Sequence, residues 1–209
     1  MKYSREHSMI NKVISGNYVI YIDDSPEDIK ENVYTISIPH EGYGLSSINL
    51  MDMYNKRREI VNIGKSVTNV FDFDCTISKH HLFKTLYQPN SLWVQKWKNE
   101  VDAGEPSISN IRFCWWIMGG LERVETIRSW FVEDREVNNI ILTNGIADDV
   151  VKVLERVNLL EFFRVVADTR GSVILILNDS KIKLKINDKR YSKESFIKKF
   201  IFNNEKIDI

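Results

Sequence analysis

Two cysteines, Cys75 and Cys114, are too few for a disulfide framework and fit a reducing compartment. The chain carries no net charge, with 29 Lys+Arg against 29 Asp+Glu. No global field therefore draws it to nucleic acid or to an anionic membrane. No apolar run is long enough to span a bilayer; the longest, Phe113 to Met118, falls far short. The first residues, Met1-Lys2-Tyr3-Ser4-Arg5-Glu6-His7, lack the apolar core of a secretory signal. Internal repeats, low-complexity tracts and Pro/Gly-rich linkers are missing too. What remains is the expectation of a soluble, intracellular, cytoplasmic protein. Its 209 residues can bury one sizeable core, and 43% hydrophobic and 28% charged residues are ordinary values for such a chain. Charge is uneven only locally. The stretch from Lys181 to Lys206 is rich in lysine, which reads either as a solvated face or as a basic rim for an anionic substrate.

Four short runs rich in Ile, Val, Tyr and Phe read as buried parallel strands, at 18–22, 33–38, 67–71 and 139–142, with a weaker fifth at 163–167. Helical segments fill the gaps. Ser25-Pro26-Glu27-Asp28 offers an N-cap, a first-turn proline and first-turn acids, and 46–60 is helical by composition. Apolar stripes at helical spacing run along 120–132 and 147–157, and a last helix covers 192–203. Two β-prone runs between 172 and 191 flank Asn178-Asp179-Ser180, a hairpin pattern. The fold expected is α/β: a Rossmann-like parallel sheet flanked by helices. All five tryptophans lie in the long interval between the 67–71 and 139–142 strands. That interval exceeds one crossover helix, so a small helical cap insertion is expected over about 78–135, standing over the C-terminal ends of the strands. The core of a single 1–209 domain would then comprise 1–77 and 136–209.

The most telling stretch is Val70-Phe71-Asp72-Phe73-Asp74-Cys75-Thr76. An extended backbone sends Asp72 and Asp74 to the same side. Two like charges so placed are costly unless a cation or a shared proton relieves them, which points to a metal site with one nucleophilic and one proton-moving carboxylate. Taken alone, Asp-x-Asp at a strand end is equally a turn or a helix cap. Three further pieces have a matching placement. Ile140-Ile141-Leu142-Thr143-Asn144-Gly145 is an apolar strand ending in a hydroxyl and a glycine, a setting in which Thr143 and nearby amides can hold a phosphate oxygen. Tyr21-Ile22-Asp23-Asp24-Ser25 is a strand ending in carboxylates suited to a hard divalent cation. Lys193 opens the last helix, where an ammonium can neutralise a phosphoryl group. Each has an ordinary reading beside it: a helix cap, a turn, a surface charge. One site, however, accounts for all four.

With these residues the sequence resembles the haloacid dehalogenase-like (HAD) superfamily of phosphatases. The family's Asp-x-Asp-x-Thr after a hydrophobic strand matches Asp72-Phe73-Asp74-Cys75-Thr76, and its strand-ending Thr or Ser matches Thr143. Its helix-opening Lys matches Lys193, with Lys189 as a fallback, and its Asp-Asp strand end matches Asp23-Asp24. The motif order departs from the family, since there the paired-aspartate strand comes last. Joining the last helix, near Asn204, to the strand at Tyr18 restores the usual order, so the resemblance implies a circular permutation with 39–66 as the new link; termini of compact domains often lie close enough for that. Cys75 stands where the family often has glycine.

The resemblance implies hydrolysis of a phosphomonoester through an aspartyl-phosphate on Asp72, with Asp74 as general acid and base. Mg²⁺ would be held by Asp72, the Asp74 carbonyl and Asp23, with Asp24 orienting its waters or Lys193. Thr143, Asn144 and Lys193 would bind the phosphoryl oxygens. The substrate class implied is a small phosphorylated molecule: a nucleotide, sugar phosphate or phosphopeptide. A non-catalytic binding module on the same fold, or a phosphotransferase to an acceptor other than water, shares these residues. No arginine follows Cys75 to clamp a phosphate, so a thiol phosphatase is disfavoured and Cys75 reads as a partly buried bystander. His80-His81 read as solvent-facing residues on a flap, with substrate contact as the alternative, and Trp115-Trp116 with Gly119-Gly120 as packing and capping within the insertion, with an aromatic substrate wall as the alternative.

Overall fold

A computed structural model of the chain describes residues 18–26, 32–39, 44–101, 104–133, 138–177, 180–186 and 190–202. Seven strands form one sheet in the order β2-β1-β3-β4-β5-β6-β7. They are β1 (Tyr18–Asp23), β2 (Val33–Ser37), β3 (Val67–Phe71), β4 (Asn138–Thr143), β5 (Val165–Asp168), β6 (Ser172–Leu177) and β7 (Ser180–Lys185). The first five in that order pair in parallel, and β6 and β7 add an antiparallel edge. The architecture is α/β and Rossmann-like, as expected. β5 begins later than its apolar run suggested because Leu160–Phe162 close into a tight helical turn first.

Helices cover both faces. They are α1 (Ser47–Asn62), α2 (Leu82–Tyr87), α3 (Leu92–Val101), α4 (Ile111–Met118), α5 (Leu121–Glu133), α6 (Ala147–Arg156) and α7 (Lys193–Phe196), the last continuing as a wider helical coil over Ile197–Phe202. Side chains alternate along each strand, so every central strand feeds two cores. Ile20, Ile22, Phe71, Ile141 and Val166 meet α1, α5 and α6 on one face. Val19, Tyr21, Val70, Ile140 and Leu142 meet Phe196, Ile197, Phe200 and Ile201 on the other. Burial on both faces explains why these strands read as continuous apolar runs.

No described helix is long and apolar enough to cross a membrane. α5 lays Phe131 edge-on against Phe71 and Phe163, with ring centroids 5.7 and 5.2 Å away. Between β3 and α5, helices α2 to α4 pack around Trp97, Phe113 and Trp116. The chain turns from α4 into α5 through Gly119 and Gly120, both in the left-handed region, the first capping α4 as its pattern foretold. On β7, Lys181 and Lys183 pair with Glu155 and Asp148 of α6, and Lys185 donates to the Arg170 carbonyl. These three lysines are partnered on an exposed edge rather than grouped as an anion-binding rim, and charge on an edge strand discourages further pairing. The helix expected after Pro26, the Asn178-Asp179 turn, Lys189 and Met1–His7 lie wholly or partly outside the described residues.

Candidate active site

The site begins with register. β1 and β3 are parallel neighbours with Ile22 opposite Phe71, so the next residues, Asp23 and Asp72, leave the sheet side by side. The Asp72 N–H still donates to the Ile22 carbonyl at 2.8 Å. Beyond Asp72 the chain enters a wide turn, Phe73–Ile77, which Cys75 makes possible by adopting φ +62°. A non-glycine residue in that region is uncommon and costs about 1–2 kcal/mol. The Thr76 Oγ1 accepts the Asp24 N–H at 3.1 Å, tying the turn to the end of β1.

The sheet and turn gather the carboxylates around one buried ammonium. Lys193, 4% exposed, arrives from α7 on the opposite face of the sheet, where Ser192 caps the helix through the Ser195 N–H. Its Nζ donates to Asp23 Oδ2 at 2.6 Å and lies 2.8 Å from Asp72 Oδ1. Asp23 also accepts from the Tyr21 hydroxyl and, at 2.8 Å, from the Ser25 N–H. Burial alone would raise the Asp23 pKa, but the Lys193 charge and these donors bring it below the usual carboxylate value. Asp72 behaves oppositely. Burial, reinforced by the charges of Asp23 and Asp74 and only partly offset by Lys193, pushes it up to about 8. Burial works against the Lys193 charge, yet Asp72 and Asp23 together hold its pKa above the ordinary lysine value. One ammonium does not balance this many carboxylates, so the pocket has room in its charge for a proton or a further cation.

The donor set matches a hard cation. Asp23, Asp24 and Asp72 each offer a carboxylate oxygen, all within 4.8 Å of one another. All-oxygen, anionic donors at this spacing suit Mg²⁺ or Ca²⁺ rather than a soft metal. The residues present therefore fit the divalent cation that the sequence implied.

Asp74 and Thr143 stand beside this cluster. Thr143 is fully buried at the end of β4, and its Oγ1 accepts the Gly145 N–H at 2.9 Å. A side chain at Gly145 would place its Cβ 3.2 Å from Thr143 Oγ1 and 3.5 Å from Asp74 Oδ2, so this glycine lets the two groups approach. Asn144 is exposed in the turn between Thr143 and Gly145. Asp74 Oδ1 accepts the Leu82 N–H at 2.7 Å, and Oδ2 lies 3.1 Å from His81 Nδ1. Asp74, Leu82, Phe83, Tyr87, Gly145 and Asp149 close against one another between α2 and α6, leaving a crevice too tight for a water molecule. Tyr87 closes its far end by donating to Asp149 Oδ2 at 2.5 Å.

Asp72, Asp74, Asp23, Asp24, Thr143 and Lys193 thus share one rim of the sheet, and sequence reasoning had named all six. It had misread the two histidines. His80 is buried, stacked on Trp116 at 4.0 Å, with Trp93 edge-on at 5.6 Å. Burial first, then the charges of Lys96, Lys79 and Arg123, lowers its pKa to about 3. His81 contacts Asp74 instead of facing solvent. Neither role has a periodic or spacing signature, because α2 is too short to show a stripe. Asp168 also went unnoticed. At the end of β5 its carboxylate accepts N–H groups of Ala147, Arg170 and Ser172, capping α6 and the β5–β6 turn. Cys75 is buried, and desolvation beside acidic neighbours pushes its thiol up to about 12, which keeps it from being a nucleophile. No protein-family model matches the chain, and no curated protein or solved structure matches it.

Proposed function

We propose that this chain is a Mg²⁺-dependent phosphomonoester hydrolase of haloacid dehalogenase-like design, with its strands in circularly permuted order. The observation that carries the reading is the group of Asp23, Asp24 and Asp72 oxygens within 4.8 Å, in which the buried Asp23 and Asp72 are bridged by Lys193. The strand order is compatible with the permutation: β1 lies between β2 and β3, so Asp23 adjoins Asp72 whichever strand comes first in the chain.

In this reading an Asp72 carboxylate oxygen attacks phosphorus, the bond to the leaving oxygen breaks, and Asp74 gives that oxygen its proton. Asp74 then takes a proton from water, whose oxygen attacks the same phosphorus and releases phosphate from Asp72. Lys193 and the Thr143 hydroxyl face the charge that spreads over the phosphoryl oxygens. Asp23, Asp24 and Asp72 would hold Mg²⁺, whose positive charge would ease the approach of an anionic nucleophile to an anionic ester. Lys193 keeps Asp23 ionised, and the wide turn at Cys75 keeps Asp74 on the same side as Asp72. The substrate proposed is a small phosphorylated molecule.

The test is hydrolysis of an aryl phosphate with Mg²⁺ by the wild-type protein and by Asp72→Asn. The substitution keeps the shape and removes the nucleophilic charge, so the rate should fall by at least ~10³-fold. Equal turnover by the two proteins would refute the proposal.

A further inference from the structure

We propose that His81 is a positioning residue for Asp74, holding its carboxylate toward the leaving-group oxygen and so tying acid catalysis to the seating of the helical insertion. The inference rests on the phosphatase reading above.

Both oxygens of Asp74 are engaged by the first residues of the insertion, not by the sheet. Oδ1 takes the Leu82 N–H at 2.7 Å, and Oδ2 lies 3.1 Å from His81 Nδ1. The aim of this carboxylate is therefore set by where α2 begins. The His81 ring offers Nδ1 to two neighbours: the Asp74 oxygen at 3.1 Å and the Lys84 N–H at 3.5 Å. One ring nitrogen serves only one of them, since a proton there donates to the carboxylate and a lone pair accepts from the amide. The first distance is that of a normal hydrogen bond, whereas the second is at the outer limit. The cap on Lys84 is thus a weak one, and a proton on Nδ1 would lie within reach of the Asp74 oxygen.

His81 is itself braced. Trp93 of α3 lies 6.3 Å from its ring, and the same indole meets His80 at 5.6 Å, which stacks on Trp116 of α4. A shift of α3 or α4 relative to the sheet moves Trp93, then His81, then the Asp74 carboxylate. An acid needs correct aim only when the departing oxygen must be protonated, so the loss of His81 should depend on the leaving group.

Three proteins test this: wild type, His81→Ser and His81→Asn. Both substitutions retain a good cap for α2. Serine is too short to reach Asp74, whereas the asparagine amide nitrogen falls near the position of Nδ1. Each is assayed on an alkyl phosphomonoester, whose leaving oxygen needs a proton, and on a nitrophenyl phosphate, whose leaving oxygen does not. The comparison uses kcat/KM, which reports the step that expels the leaving group. His81→Ser should lose on the order of 10²-fold on the alkyl ester, as for a displaced general acid, and under about 3-fold on the nitrophenyl ester. His81→Asn should recover most of the alkyl activity. Wild-type rates from His81→Ser on both esters, or an equal loss on both, would overturn the assignment of His81 while leaving the phosphatase reading in place. A wild-type protein inert on both esters would overturn that reading and this inference with it.

Discussion

Lys193→Met isolates the electrostatics of the site from its chemistry. Methionine nearly matches the lysine stem in volume, so the change removes the charge and little packing. The side chains of Lys193, Asp23 and Asp72 are 4%, 2% and 7% exposed, so solvent cannot replace the lost ammonium. Removing one partner of a buried pair costs about 3–5 kcal/mol because the other charge stays behind unpaired. In a chain of this length each kcal/mol moves Tm by roughly 2–4 °C, which gives a fall of roughly 6–20 °C at neutral pH without divalent metal. The pH dependence has a definite sign. Without Lys193, burial raises both carboxylates above their unfolded values. A group with a raised folded pKa contributes stability when protonated and loses it as pH rises. The variant should therefore trail wild type most at pH 8 and least near pH 5. Adding Asp72→Asn should return part of the loss, because it removes one of the carboxyls whose burial raises its pKa. Melts followed by circular dichroism, in chelator, measure all three proteins. A variant within about 2 °C of wild type at pH 8, or one that trails more at low pH, would refute this account of the charge balance.

Mg²⁺ should raise the Tm of wild type, and more at pH 8 than at pH 6. Asp72, raised to about 8, sheds its proton to become a ligand, so binding strengthens through that window; thermal shifts at three pH values check it, and Asp72→Asn should flatten the trend. Under the proposed function, Gly145→Ala should lower turnover at least about 10-fold with little change in Tm, since the added methyl meets Thr143 and Asp74 near the proposed phosphoryl position. Arg123→Met should cost about 3 kcal/mol by denaturant titration. Its half-buried guanidinium donates to the carbonyls of Ile77 and Met118 at 2.7 Å, which would lose this donor, and reaches those of Thr76 and Leu45 at 3.3 and 3.4 Å. Cys75 and Cys114 are both buried with thiols pushed up to about 12 and about 11, so a maleimide at pH 7.5 should label the native protein slowly and the unfolded protein fast.

What the sequence exposed and what it hid divide along physical lines. The central strands were legible because burial on both faces leaves uninterrupted Val, Ile and Phe, as in Tyr18-Val19-Ile20-Tyr21-Ile22. Asp72 and Asp74 were legible as two carboxylates at the end of an apolar strand, but the extended backbone expected between them is absent: β3 stops at Phe71, and Asp74 is carried by the wide turn Phe73–Ile77. Asp23, Thr143 and Lys193 were legible as strand ends and a helix start, and their convergence followed from parallel strands having a common end. The histidines were not. His81 finds Asp74 through a turn that depends on the φ of Cys75, and His80 is buried only because Trp93 and Trp116 arrive from separate helices. The Asn69–Asn139 pair was equally hidden. It joins adjacent strands in the core at 2.9 Å, with Asn139 donating onward to the Phe162 carbonyl, whereas an isolated Asn in a strand reads as a surface position. Such contacts depend on which elements become neighbours, and residue type alone does not encode that.

The placement of Lys193 explains why motif order along the chain matters so little here. Asp23 and Lys193 are separated by 170 positions, yet their side chains meet at 2.6 Å. Asp23 is positioned by β1 pairing with β3, and Lys193 by Phe196, Ile197 and Phe200 packing on the face opposite α6. Neither placement uses the covalent path between the two residues. A chain cut and rejoined outside β1, β3 and α7 keeps both the register and the apolar packing, and hence the ion pair. The charge balance is what such a rearrangement must preserve. Asp23, Asp72 and Asp74 without Lys193 would repel one another at low dielectric and push the strand ends apart, whereas Lys193 without them would be a buried ammonium with no counter-charge. The four side chains therefore stand or fall as a unit. Their excess negative charge is the physical ground for expecting a cation among them.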